Sequence, residues 1–147
     1  MKKFVLILLS LLTCSVILLA DNDRLSKDIK ELPVESREFL STYFSHTKVS
    51  HIKIETNRFR NKSYEVLLTN GTEIEFDKSG KWTEINGHRK SIPMGVIPEK
   101  IREYVQVNYP GQEITAIERE GYETSVKLKN GLELTFNKRG KLIDIDT

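Results

Sequence analysis

The sequence predicts an α+β fold: two tandem helix-plus-four-strand repeats forming one antiparallel sheet of about eight strands, with the helices on one face. Three observations predict it. TNGTEIEFDKSGKWTEI, residues 69–85, recurs as KNGLELTFNKRGKLIDI, residues 129–145, with eight of seventeen positions identical. Both occurrences lie in runs of alternating apolar and polar residues, the period of a half-buried strand. Each follows a Pro-started segment with apolar residues at helical spacing.

The chain opens with MKK and the apolar run FVLILLSLLTCSVILLA, ending at Ala20. A basic start and a short apolar run make residues 1–20 a secretory signal peptide. A retained membrane anchor is the rival, because a run of about seventeen residues is at the short edge of what spans a bilayer. Leu18 is a poor residue three before the cut. Cys14, the single cysteine, is followed by further apolar residues rather than by a mature chain, which argues against lipidation. After cleavage residues 21–147 hold no thiol, so no disulfide, thiol nucleophile or thiolate metal site. Lys2 and Lys3 leave with the leader, so the 23 basic residues fall to 21 and match the 21 acidic ones. A balanced mature chain excludes a nucleic-acid or lipid-headgroup binder built on basic excess. It favours shape and local patches over electrostatic capture.

The first helix is expected in LPVESREFLSTYF, residues 32–44, with Phe39, Leu40, Tyr43 and Phe44 as its stripe. The second is expected in IPEKIREYVQVNYP, residues 97–110, with Ile101, Tyr104 and Val105 inward and Asn108 as the polar exception. Pro33 and Pro98 suit a first helical turn, where the missing N–H has no partner to lose. Pro110 and Gly111 stop the second helix.

Four strands follow each helix: 49–55, 64–69, 72–77 and 81–85, then 113–120, 122–129, 132–136 and 141–145. Tyr64, Val66, Leu68, Ile74 and Phe76 share one face; Glu65, Thr69, Glu73 and Glu75 share the other. Val126, Leu128, Leu134 and Phe136 repeat the apolar set, which places Lys127 on the polar face. A two-residue Asn-Gly turn would pair Val66 with Glu75 and scramble the faces. A three-residue loop instead pairs Leu68 with Thr72 and Val66 with Ile74, and puts Gly71 in a left-handed bulge position. The first repeat (about 33–85) is joined by a linker (86–96) to the second (about 97–147). One helix on four strands buries too little apolar area alone; two together form a single domain with one face left open. A basic, polar hairpin tip at 57–63 marks the first repeat only.

These residues resemble the PepSY-like family of small secreted proteins, related in fold to the beta-lactamase inhibitor protein. The resemblance rests on LP…REFLSTYF, YEVLLTNGTEIEFDKSGKW, the SIPMGVIP linker, IREYV…YPG and LKNGLELTFNKRGKL, and spans about 33–145. It implies a periplasmic protein with helices on one side of a concave sheet. It implies no catalytic residue, and no inhibitory residue set matches positions here.

Chemistry-bearing patterns are sparse. His46, His51 and His88 have no carboxylates at ligand spacing, so no metal site is expected. There is no Gly-x-Ser-x-Gly, His-Glu-x-x-His or phosphate loop. Asp77-Lys78-Ser79-Gly80 is too short for a calcium loop and reads as a turn. No catalytic residue and no cofactor is assigned. The expected function is a periplasmic, non-enzymatic binding module that presents its open sheet face to a protein or peptide; inhibition of an envelope enzyme is one version, by fold analogy alone. Its candidate contact residues are Trp82, Leu67, Glu73, Glu75 and Lys127. Trp82 has two readings. A three-residue turn pairs it with Phe76 and buries it; a four-residue turn puts it on the open face as an interface anchor, and would turn Ile143 and Ile145 to the core together. The alternative function is a carrier of a small lipid-like or peptide ligand, which needs an apolar pocket of about 300 Å3 or more. Clustered glutamate and histidine with perturbed pKa values would instead point to an enzyme. No nucleic acid and no stable membrane anchor after cleavage is expected.

Overall fold

In a computed structural model the described residues are 23–57 and 61–147. The signal-peptide assignment, Cys14 and the centre of the 57–63 tip lie outside them. The chain forms one antiparallel sheet of nine strands and two helices. The strands are β1 (Arg24–Ser26), β2 (Val49–Thr56), β3 (Lys62–Leu68), β4 (Glu73–Phe76) and β5 (Trp82–Asn86), then β6 (Ile114–Glu120), β7 (Glu123–Leu128), β8 (Glu133–Asn137) and β9 (Leu142–Asp146). Their order in space is their order in the chain. The helices are α1 (Val34–Tyr43), between β1 and β2, and α2 (Glu99–Asn108), between β5 and β6.

The sheet has nine strands rather than about eight. The extra one, β1, is too short and too exposed to show an alternating pattern, and it pairs with β2 at the sheet edge. Pro33 and Pro98 are the residues just before each helix, and their carbonyls accept the first helical bonds, from Arg37 at 3.2 Å and Arg102 at 3.1 Å.

Register follows from keeping apolar side chains together. One row crosses the sheet from Ile52 through Val66, Ile74, Ile85, Ile117, Val126 and Leu134 to Ile145. A second joins Tyr64, Phe76 and Trp82, with Phe136 and Leu142 in the same relation in the second half. Both helices cover this face. The Phe39 ring meets Phe76 edge-on at 5.8 Å, and the Tyr104 ring meets Phe136 edge-on at 5.3 Å. Leu40, Ile101 and Val105 are buried beneath them.

The three-residue loops form as the alternation requires. The Leu68 N–H donates to the Thr72 carbonyl and the Leu128 N–H to that of Leu132. Gly71 and Gly131 take φ of +87° and +94°, which a side chain at these points would disfavour. The next turn is held by a side chain. Asp77 Oδ1 accepts from the Ser79 and Lys81 N–H groups, and Asn137 does the same for Arg139 and Lys141.

Candidate functional site

The face on which no described helix packs is built from the alternate residues of each strand. Its central row runs Lys53, Glu65, Glu75, Glu84, Glu118, Ser125, Thr135, Asp144. Four glutamates on four adjacent strands therefore stand directly opposite one another. With neighbouring strands about 4.8 Å apart, their carboxylates span some 14 Å. The row beside it runs His51, Leu67, Glu73, Asn86, Ala116, Lys127, Glu133. Like charges directly opposite are destabilising in a sheet, so this is a local conflict within an otherwise consistent fold.

The conflict shows in ionisation. Burial, then the charge of Glu65 and its neighbours, pushes Glu75 up to about 7. Burial, then Glu75 and Glu118, pushes Glu84 up to about 8. Glu65 and Glu133 are raised too, by burial first. Glu73 and Glu84 are only 6% and 4% exposed. One oxygen of each, Glu73 Oε2 and Glu84 Oε1, is buried without a hydrogen-bond partner. Cationic relief is peripheral: Lys53 engages Glu55 and lies 3.4 Å from Asp23. His88 Nε2 lies 3.3 Å from Glu73 Oε1. The linker histidine thus meets a carboxylate that sequence spacing did not suggest. Its backbone takes φ 57°, and its N–H donates to Asn86 Oδ1.

Glu73, Glu75, Leu67 and Lys127 all lie on this face, Leu67 beside Glu73 and Lys127 beside Glu133. Trp82 does not. It pairs with Phe76 on the helix-bearing face, 9% exposed. A bulge reconciles its two registers: Glu75 pairs with Glu84 and Phe76 with Trp82, so Thr83 is the extra residue. The same bulge in the second half pairs Thr135 with Asp144 and Phe136 with Leu142. Ile143 becomes its extra residue, so Ile143 and Ile145 do not face the core together; each remains 49% exposed. Glu84 and Glu118 were not singled out by the sequence, because their alignment needs this bulge and the β5–β6 pairing between halves.

The cluster has the perturbed carboxylates that would point to an enzyme, but the chemistry around it is thin. The nearby Ser125 and Thr135 hydroxyls bond each other at 2.9 Å, and the gap between Glu65, Glu73, Glu75, Glu84 and Asn86 is about 10 Å3, a single water's worth. Among the described residues no three histidine or acidic side chains converge as metal ligands. No described helix is long and apolar enough to cross a membrane.

The family model described as "Putative beta-lactamase-inhibitor-like, PepSY-like" matches residues 62–144. A "putative periplasmic protein of unknown function" from Bacteroides vulgatus is 39% identical, with TM-score 0.82, covering 86% of this chain and 100% of its own. A second periplasmic protein from the same organism, of the DUF2874 family, is 41% identical, with TM-score 0.81 over 87% of this chain and 99% of its own. A "putative calcium-regulated periplasmic protein" from Bacteroides thetaiotaomicron is 40% identical, with TM-score 0.81 over 86% and 98%. No curated protein matches the chain. Identity at this level across nearly the whole described fold, with a family match over its sheet, decides the assignment: the chain belongs to the PepSY-like family, and its structural neighbours are periplasmic proteins of that family.

Proposed function

We propose that the protein is a non-enzymatic binding module of the periplasm, made of two copies of one helix-and-meander unit, whose helix-free face holds a cationic segment of a protein or peptide. The observation that carries this reading is the run of Glu65, Glu75, Glu84 and Glu118 across four adjacent strands. A sheet that keeps like charges opposite one another loses stability for it, and such conflicts concentrate where function needs them. A partner's arginine or lysine side chains laid along the row would neutralise it and supply donors to Glu73 Oε2 and Glu84 Oε1. Leu67 and Lys127 would border the contact, and Glu73 and Glu75 would lie within it. Trp82 takes no part in this face.

The test is fluorescence anisotropy with a labelled arginine-rich peptide, an acidic peptide of equal length, and the E75Q/E84Q variant. The arginine-rich peptide binds, more weakly as salt rises, and the variant weakens it at least about tenfold. Equal binding of the two peptides, or no loss in the variant, overturns the reading. A cellular partner captured by the wild type should be lost with the same variant.

One observation favours a second reading. Carboxylate oxygens suit a hard cation, and one structural relative is described as calcium-regulated. Because no three such side chains converge, binding would require them to move. Calcium that raises the melting temperature of the wild type but not of E75Q/E84Q, without any peptide, would favour it.

A further inference from the structure

On the opposite side of the sheet a cleft of about 430 Å3 opens between α1, the 3-10 turn Met94–Val96 and the strands β5 and β6. It is lined by Phe39, Tyr43, Trp82 and Val96 together with the charged Glu35 and Lys81. The Phe39 ring lies 4.9 Å from Tyr43 and 6.3 Å from Trp82, so three aromatic rings form a continuous surface. Arg119 completes the cleft, with its guanidinium carbon 3.6 Å above the Trp82 ring.

Arg119 is the directing member. Its side chain reaches solvent, yet its guanidinium lies flat on an aromatic ring, a stack that suits arginine and not lysine. Partial desolvation lowers its affinity for the proton. Among the described residues no hydrogen bond or ion pair to its side chain occurs, and its guanidinium lies against the indole face. Stacking occupies the flat of the guanidinium and leaves its N–H edge free, the edge that takes a carboxylate two-pronged. Among the described residues the second half has no matching ring surface: Leu142 stands where it would need a tryptophan.

We infer that this cleft binds a carboxylate carried on an aromatic group, its ring against Phe39, Tyr43 and Trp82 and its carboxylate on the N–H edge of Arg119. The volume is in the small-molecule range, and the lining sets aromatic rings beside three charged groups, Glu35, Lys81 and Arg119, of which Arg119 is the one stacked on the ring surface. Two sources share this chemistry, a free small acid and the C-terminal residue of a peptide. The site is independent of the glutamate row on the far face.

The chain's single tryptophan lies in the wall, so its fluorescence reads the site directly. The mature protein is titrated with N-acetyl-phenylalanine, its uncharged amide, and a tetrapeptide ending in free phenylalanine. The acid or the peptide changes Trp82 emission saturably, and the amide binds at least about tenfold more weakly. Saturation by the short acid identifies a free small molecule; saturation by the peptide alone identifies a chain terminus. R119Q weakens the charged probe by the same factor at unchanged melting temperature, and R119K restores only part of it, since lysine lacks the two-pronged edge. E75Q/E84Q binds the probe as the wild type does. Equal affinity for acid and amide, no saturation by about 10 mM of either charged probe, or full binding by a folded R119Q overturns the inference.

Discussion

Glu75 and Glu84 stand directly opposite each other on β4 and β5, on the face turned away from α1 and α2. An unfolded glutamate releases its proton near pH 4.3, whereas these two hold theirs to about 7 and about 8. Between those limits the folded chain binds more protons than the unfolded one, so stability falls as pH rises and levels off above about 8. The groups facing the pair are Glu65, Glu73 and Glu118, with Lys53 and His51 at one end of their rows and Lys127 and Glu133 toward the other. Urea unfolding at pH 5 and pH 8 should show a loss of about 1–3 kcal/mol at the higher pH.

Glu84→Gln removes one charge from the centre of the row and keeps its shape. At pH 8 it should stabilise the protein by about 1–2 kcal/mol, and at pH 5, where Glu84 is already neutral, by much less. Calorimetry at the two pH values decides; equal shifts would mean that packing, not charge, governs this position.

Salt should act in the same direction. At pH 8 raising sodium chloride from about 0.05 to 0.5 M screens the glutamates from one another and raises the melting temperature. The rise should shrink in E75Q/E84Q.

Two turn glycines separate conformational strain from collision. Gly71 has φ +87° and open space where a Cβ would sit; Gly80 has φ +94°, and its Cβ would lie 2.7 Å from the Cβ of Pro33. Gly71→Ala should cost about 1–2 kcal/mol, the penalty of the left-handed region alone. Gly80→Ala adds the clash, typically about 1–3 kcal/mol more, and disturbs the Ser36 hydroxyl that donates to the Gly80 carbonyl at 3.1 Å.

Ile85 and Ile117 face each other across β5 and β6, the seam between the two halves, both fully buried. Ile117→Ala should destabilise by about 2–5 kcal/mol. Unfolding should remain a single transition by both far-UV and Trp82 signals, because one interior serves both halves.

Much of this architecture was written in the alternation of particular residues. Val66 against Ile74 forced the three-residue turn, and Val126 against Leu134 forced it again. Pro33 and Pro98 marked the helices to within a residue. What could not be read depended on pairings beyond one hairpin. Trp82 was ambiguous because a bulge, invisible in a residue pattern, lets it and Ile85 face the core together. Glu118 joined Glu84 only through the β5–β6 pairing, separated in sequence by a whole helix. Arg119 was not singled out, because only that pairing brings it over the indole. β1 has three residues, too few for a period to declare itself.

The sequential strand order has a kinetic side. Most neighbours in this sheet are joined by tight hairpins, so their contacts are close in sequence, and such topologies fold fast for β-rich proteins. The exceptions are β1 to β2, joined across α1, and β5 to β6, where the chain must return across the 27 residues from Asn86 to Ile114 before the strands can meet. Docking the two meanders along that seam, the longest reach between paired strands, is the step that assembles both the carboxylate row and the roof of the Trp82 cleft. Until it happens the chain has neither.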